Sequence, residues 1–170
     1  MDAATEDGGQ ADPAPLVTPE EADALSLDDR LCLALYTASR SMTARYRVAL
    51  EDLGLTYPQY LVMVLLWEEG SVPVGRLGER LSLESSTLSP LLKRLESMGL
   101  ISRTRDRADE RLVIISLTKA GRRMQEQAGA VTLEVCRASG LTRGDAAELV
   151  GELRALDGRL RESTRQARSA

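Results

Sequence analysis

Apolar residues recur at helical spacing along most of this chain and at alternate positions in one stretch only. Leu31, Leu35, Ala38, Met42 and Leu53 mark one stripe, and Cys32, Tyr36, Ser39, Thr43, Tyr46 and Leu50 a neighbouring one. Two adjacent stripes predict a helix from Ser26 to about residue 52, buried on more than one side. Ser26 with Asp29 resembles a capping box that opens it, and Gly54 is a natural stop. Tyr57-Pro58 begins a second helix that runs to Glu69 and ends at Gly70, with proline in the first turn. A short helix follows over residues 74–81. The serine-rich turn Ser82-Leu83-Glu84-Ser85-Ser86 caps a helix from about Ser85 to Met98, where Pro90 lies early enough to be tolerated. Leu100–Arg105 and Glu110–Leu117 alternate apolar with polar residues around Asp106-Arg107-Ala108-Asp109, which predicts a β-hairpin with a charged tip. Thr118 caps a long helix to about Arg137, and Thr142 a last one to about Arg165.

Helix, short helix, second helix and charged hairpin make a winged helix-turn-helix. The predicted fold is therefore mainly α with a small β wing. The long first helix and the last two leave apolar surface that so small a domain does not cover alone, which predicts a two-fold homodimer through the N- and C-terminal helices. The expected organisation is a disordered acidic tail over 1–25, a first helix over 26–56, a DNA-binding domain over 57–118, dimerisation helices over 119–165 and a short tail over 166–170. The first 25 residues mix Ala, Gly, Pro, Asp and Glu without periodicity, too polar a segment to offset the entropy of ordering.

Charge sharpens this picture. The net charge is −4 over 170 residues, but residues 1–29 hold nine acids and no Lys or Arg. From residue 30 onward the chain is net +5. A mildly basic folded part behind an acidic tail suits a partner rich in phosphate. Absence of histidine removes Cys–His dyads, serine triads and most transition-metal sites, so no metal or cofactor is expected. No apolar run approaches the ~18 residues of a membrane span, and the acidic N-terminus is unlike a secretory signal. These features predict a cytoplasmic protein.

Aromatic residues are few and clustered. There is no Phe, and Tyr36, Tyr46, Tyr57, Tyr60 and Trp67 all fall between residues 36 and 67. Cys32 precedes Tyr36 by one helical turn, on the same face. A reactive sulfur is a thiolate, which phenol donors and a helix N-terminus both favour. Tyr46 is 14 residues from Cys32, roughly 21 Å along one helix at 1.5 Å per residue, and so does not reach it there. It reaches the partner's Cys32 if two such helices cross antiparallel about a two-fold axis. The plainer alternative is a small buried Cys32 with tyrosines that only pack. An oxidised Cys32 condenses with a nearby thiol, and Cys136 is the one protein candidate; a small thiol is the alternative.

The segment from Asp109 to Thr118, DERLVIISLT, fits D-x-R-x5-L-T and resembles the wing signature of MarR-family transcription regulators. Leu88-Ser89-Pro90-Leu91-Leu92-Lys93-Arg94-Leu95 onward resembles that family's recognition helix. Leu31-Cys32-Leu33-Ala34-Leu35-Tyr36, with Tyr46 and Thr56-Tyr57-Pro58-Gln59-Tyr60, is similar to the organic hydroperoxide repressors, the OhrR group. That resemblance implies a redox-sensing repressor, not an enzyme. It implies Cys32 as the peroxide-reactive thiol, Tyr36 and Tyr46 as its hydrogen-bonding phenols, and release of DNA on oxidation. It also implies, in some members, a resolving cysteine from the partner, here Cys136. The apolar neighbours of Cys32 favour a lipophilic hydroperoxide.

For DNA, the recognition helix offers Ser85, Ser86, Thr87 and Ser89 to base edges and phosphates, with Lys93 and Arg94 behind. The wing offers Arg103, Arg105, Arg107 and Arg111, of which at least one is expected in a minor groove. Arg111 has an alternative role, pairing with Asp109 to shape the wing. Gln59 and Arg80 are secondary backbone candidates. A two-fold dimer implies a pseudo-palindromic operator. Two rivals stand beside this reading. One is a MarR-type repressor released by a small phenolic or lipophilic ligand. The other is a thiol peroxidase, against which stands the lack of a βαβ pattern and of Cys-x-x-Cys.

Overall fold

The computed structural model describes residues 18–106, 109 and 111–169. The chain divides into two compact units, Met1–Met42 and Thr43–Ala170.

In the first unit, α1 (Pro19–Ala24) is a single short turn of helix. It falls inside the segment expected to be a disordered tail, of which residues 1–17 lie outside the described ones. The reason is local: Thr18 and Glu21 form a reciprocal capping box, Thr18 N–H to Glu21 Oε2 at 2.7 Å and Glu21 N–H to Thr18 Oγ1 at 3.2 Å. The Ser26–Asp29 box also forms (Asp29 N–H to Ser26 Oγ, 3.3 Å), but it closes a separate turn. The long helix α2 (Leu31–Ala49) begins two residues after it, and from Thr43 onward it belongs to the second unit. Cys32 therefore lies in the first turn of its helix. The expectation that α2 is buried on more than one side fails within one chain, because none of its residues is buried.

The second unit holds the core. The 3₁₀ turn η1 (Glu51–Leu53) ends at Gly54 with φ +63°, the left-handed conformation that glycine adopts without strain. Next come α3 (Tyr57–Glu69), β1 (Ser71–Pro73), α4 (Val74–Leu81), α5 (Ser85–Ser97), β2 (Ile101–Arg105), β3 (Val113–Leu117), α6 (Lys119–Ser139) and α7 (Arg143–Ser169). The sheet has three strands in the order β1-β3-β2, both pairings antiparallel. β1 is an addition to the expected hairpin. At three residues it is too short to show alternation, and its pairing with Ile114–Ser116 is a tertiary event.

α3 is the centre of the core. It buries Gln59, Tyr60, Val62, Met63, Leu65 and Leu66. Leu77, Leu88, Leu92, Leu95, Ile101 and Ile115 from the helix-turn-helix and the sheet complete the cluster with it. α6 closes over this core through Ala128 and Val131. Its start is tightly fixed: Thr118 Oγ1 accepts the Gly121 N–H at 3.1 Å and donates to Gly99 O at 2.6 Å. A Cβ on Gly121 would stand 2.1 Å from the Leu100 carbonyl oxygen, so only glycine allows this approach. The Trp67 indole N–H donates to the same Gly121's carbonyl at 2.9 Å, tying α3 to α6.

Candidate DNA interface and thiol site

α4 and α5 form the helix-turn-helix, and Ser82 makes the turn. Its φ is +54°, a left-handed conformation uncommon for a residue with a side chain. The residue that caps α5 is Glu84, and its side chain makes no capping bond. Ser85, Ser86 and Thr87 thus occupy the first turn itself. They are exposed, as are Ser89, Lys93 and Arg94, while Leu88, Leu92 and Leu95 anchor the opposite face. Unpaired backbone N–H groups and hydroxyls at that end make it suitable for phosphate and base edges.

In the wing, Arg103, Arg105 and Arg111 are exposed. Arg107 lies outside the described residues. Asp109 engages the backbone N–H of Arg111 (Oδ1, 3.0 Å), and its own N–H donates to Asp106 Oδ1 at 3.1 Å. Both carboxylates thus accept main-chain N–H groups of the wing. The two secondary candidates are tied up locally. Gln59 is buried and accepts the Thr56 N–H at 2.8 Å as a capping residue of α3. Arg80 stands 3.7 Å from Glu69, which also holds Arg76 at 2.7 Å. The Arg76 guanidinium keeps the Glu69 carboxyl below its ordinary range.

Both cysteines are exposed. Cys32 is at the second position of α2, in its first turn. Tyr36 is more than half exposed, and its hydroxyl accepts from Arg40 Nη1 at 3.3 Å, with that guanidinium 5.5 Å from the ring centre. Arg40 at i+4 is thus the tyrosine's partner, a residue the sequence reading passed over although the spacing is visible there.

Tyr46 belongs to the second unit and is half-buried. It stacks on Tyr57 with centroids 4.4 Å apart and lies 5.6 Å from Tyr60, which continues to Trp67 at 6.2 Å. Tyr60 Oη shares a hydrogen bond of 2.8 Å with Thr132 of α6. Burial pushes the Tyr46 phenol up to about 12, with further contributions from Tyr57, Tyr60 and Cys136. Tyr46 is therefore a proton donor throughout the neutral range. Cys136 on α6 is near enough to act on it electrostatically, a proximity that 90 residues of sequence separation conceal. Beside them Arg45 pairs with Glu134.

Among the described residues, no three Cys, Asp or Glu side chains gather as a metal site, and no helix is long and apolar enough to cross a membrane.

Residues 45–127 match the family model described as transcriptional regulator SarA/Rot. The chain is 49% identical over 106 residues to an organic hydroperoxide resistance transcriptional regulator of Bacillus subtilis, covering 62% of this chain and 72% of that protein. It is 37% identical over 128 residues to the regulator MgrA of Staphylococcus aureus, covering 75% and 87%. Among solved structures it is similar to reduced AbfR bound to DNA, with 35% identity, a TM-score of 0.68 and coverage of 83% and 98%. AbfR, from Staphylococcus epidermidis, is also known in an overoxidised form bound to DNA and in a disulfide form. These relatives are transcriptional regulators, not enzymes, which removes the thiol-peroxidase rival. With the observed order of helices, turn and wing, the comparisons establish that this chain belongs to the SarA/Rot/MarR-type family of winged-helix transcriptional regulators.

Proposed function

We propose that the protein is a homodimeric repressor that holds a pseudo-palindromic operator while Cys32 is reduced and releases it when an organic hydroperoxide oxidises that thiol. The observation that carries the reading is the exposure of both cysteines, Cys32 in the first turn of a helix that buries nothing and Cys136 beside the protonated Tyr46 phenol.

The chemistry is a two-electron oxidation of sulfur. The Cys32 thiolate attacks the distal peroxide oxygen, the O–O bond breaks, and the leaving alkoxide takes a proton to depart as the alcohol. Cys32 is then a sulfenic acid. Attack by the partner's Cys136 thiolate forms the disulfide, and the sulfenic oxygen leaves as water. Tyr36 and the partner's Tyr46 supply phenol donors to the thiolate. The exposed apolar residues Leu31, Met42 and Val48 of α2 and Leu149, Leu153 and Leu160 of α7 are the surfaces two copies would bury together. The disulfide changes the separation of the two recognition helices, and half-sites out of register lose phosphate and base contacts together.

The known disulfide form of AbfR supports the second step, and its DNA-bound overoxidised form suggests that joining two cysteines, rather than adding oxygen to one, triggers release. DNA release is titrated with cumene hydroperoxide for wild type, Cys32→Ser and Cys136→Ser. The expected result is release in wild type only. Release that persists in Cys32→Ser would replace this reading with repression relieved by a bound small molecule. Release that persists in Cys136→Ser without added thiol would confine sensing to Cys32.

A further inference from the structure

The C-terminal helix carries a charged face that neither the DNA interface nor the thiol site uses. Beyond Leu153, α7 holds Arg154, Arg159, Arg161, Arg165 and Arg168 against only Asp157 and Glu162. All five arginines are exposed. At about 100° per residue, Arg154, Arg161, Arg165 and Arg168 project within a sector of about 60°, well apart from the sector of Leu149, Leu153, Leu156 and Leu160. α7 thus has two faces, one apolar and one of guanidinium groups.

The arginine face begins at the DNA-reading element. Arg161 Nε is held by both oxygens of Asp157, at 3.0 and 2.9 Å, and its Nη2 donates to Ser82 Oγ. Ser82 is the left-handed turn residue three positions before Ser85, where α5 starts. Asp157 and Arg161 line a cleft of about 570 Å³ together with Gly78, Ser82, Ser85 and Leu88. Toward the C-terminus, Arg165 is steadied by Glu162.

We propose that the stripe Arg154, Arg161, Arg165 and Arg168 is a further DNA-contact surface that binds backbone phosphates of the duplex flanking the bases read by α5. Charge complementarity identifies the occupant: exposed guanidinium groups on one face, two turns apart from Arg154 to Arg161 and then about one turn apart to Arg165 and Arg168, match a row of phosphates, with Arg165 and Arg168 placed to take them by bidentate pairing. Continuity with α5 through Ser82 sets the location. Contacts of this kind add affinity at every sequence and no base preference. The inference rests on DNA binding by the family's helix-turn-helix and is independent of the thiol reading.

The test uses the full-length chain and duplexes of mixed sequence containing no operator, with binding followed by fluorescence anisotropy over a series of NaCl concentrations. The double variant Arg165→Gln/Arg168→Gln is expected to bind more weakly on every duplex and to lower the slope of log affinity against log salt by about 2, one for each lost phosphate contact. Glu162→Gln, which removes the competing carboxylate from Arg165, is expected to bind more tightly. Both changes lie on exposed positions, so the thermal midpoint should stay unchanged and separate a contact effect from misfolding. An unaltered slope in the double variant overturns the proposal alone. Tighter binding by the double variant also overturns it and makes α7 a latch over α5. Wild-type protein without affinity for duplex overturns both this and the DNA-binding reading.

Discussion

α3 and α2 are both rich in apolar residues, yet their fates differ. α3 buries six side chains in the middle of the second unit and is clamped to α6 through Trp67 and Tyr60. α2 buries none, and Leu31, Tyr36, Met42 and Val48 stand 41–61% exposed. α3 is apolar nearly all round, as a helix surrounded by its own chain must be. α2 has apolar stripes interrupted by Arg40, Arg45 and Arg47, and none of its residues is buried. The contrast separates two meanings of amphipathic spacing. A periodic stripe says that a face is to be covered, not which chain covers it.

The contrast can be broken most directly by truncation. Leu66→Ala, at a position with no exposed surface, should cost about 2–5 kcal/mol in urea unfolding, because the surrounding core closes only partly over the space left. Val48→Ala on α2 should cost about 0.5 kcal/mol or less in protein dilute enough to be monomeric, and should instead weaken self-association in sedimentation. Equal losses at the two sites would abolish the distinction.

The clamp on α3 gives a smaller effect. Trp67→Phe keeps most of the ring but leaves the Gly121 carbonyl without its indole donor, and about 1–2 kcal/mol of stability should go with it. A loss much below that, with an unshifted denaturation midpoint, would mean that the α3–α6 tie contributes only packing.

The smallest expected effect is a pH dependence at Tyr46, where α2 runs into the core. Burial raises this phenol from its ordinary value near 10 to about 12, so the folded state holds the proton more tightly than the unfolded one. The resulting stability is fully present below pH 10 and is lost as pH rises through about 12. Denaturation followed across this range should show the decline in wild type and a shallower one in Tyr46→Phe. Identical slopes would place the phenol in a more open setting than the stacking on Tyr57 implies.

Much of the DNA-binding domain is legible from local signals. Gly54, Gly70 and Gly99 end their elements with positive φ, Thr118 caps α6, and the alternation around residues 101–117 pairs as an antiparallel hairpin. These features are set by neighbours three or four residues away, which is why a linear reading finds them. The errors occurred where two local signals competed or where the partner is distant. Ser26–Asp29 reads like a helix start, but it closes its own turn and the helix begins after it. Gln59 reads as a polar group for phosphate, yet it caps α3 and is buried. β1 exists only because β3 lies beside it.

The candidate thiol site divides the same way. Cys32 and Tyr36 are neighbours by helical arithmetic alone, and spacing on one strand of sequence is enough to place them on a common face. Which side chains meet Tyr46 is a different kind of fact. Tyr57 and Tyr60 come to it from α3, and the Cys136 thiol of α6 is near enough to act on its phenol. The order of elements, the caps and the charge of the folded part are properties of short-range chemistry, which the sequence by itself determined. Burial, the left-handed Ser82 turn against Arg161 and the raised Tyr46 phenol depend on groups far apart in the chain. Only the tertiary structure decided those, because desolvation acts on whatever packing brings within a few ångströms.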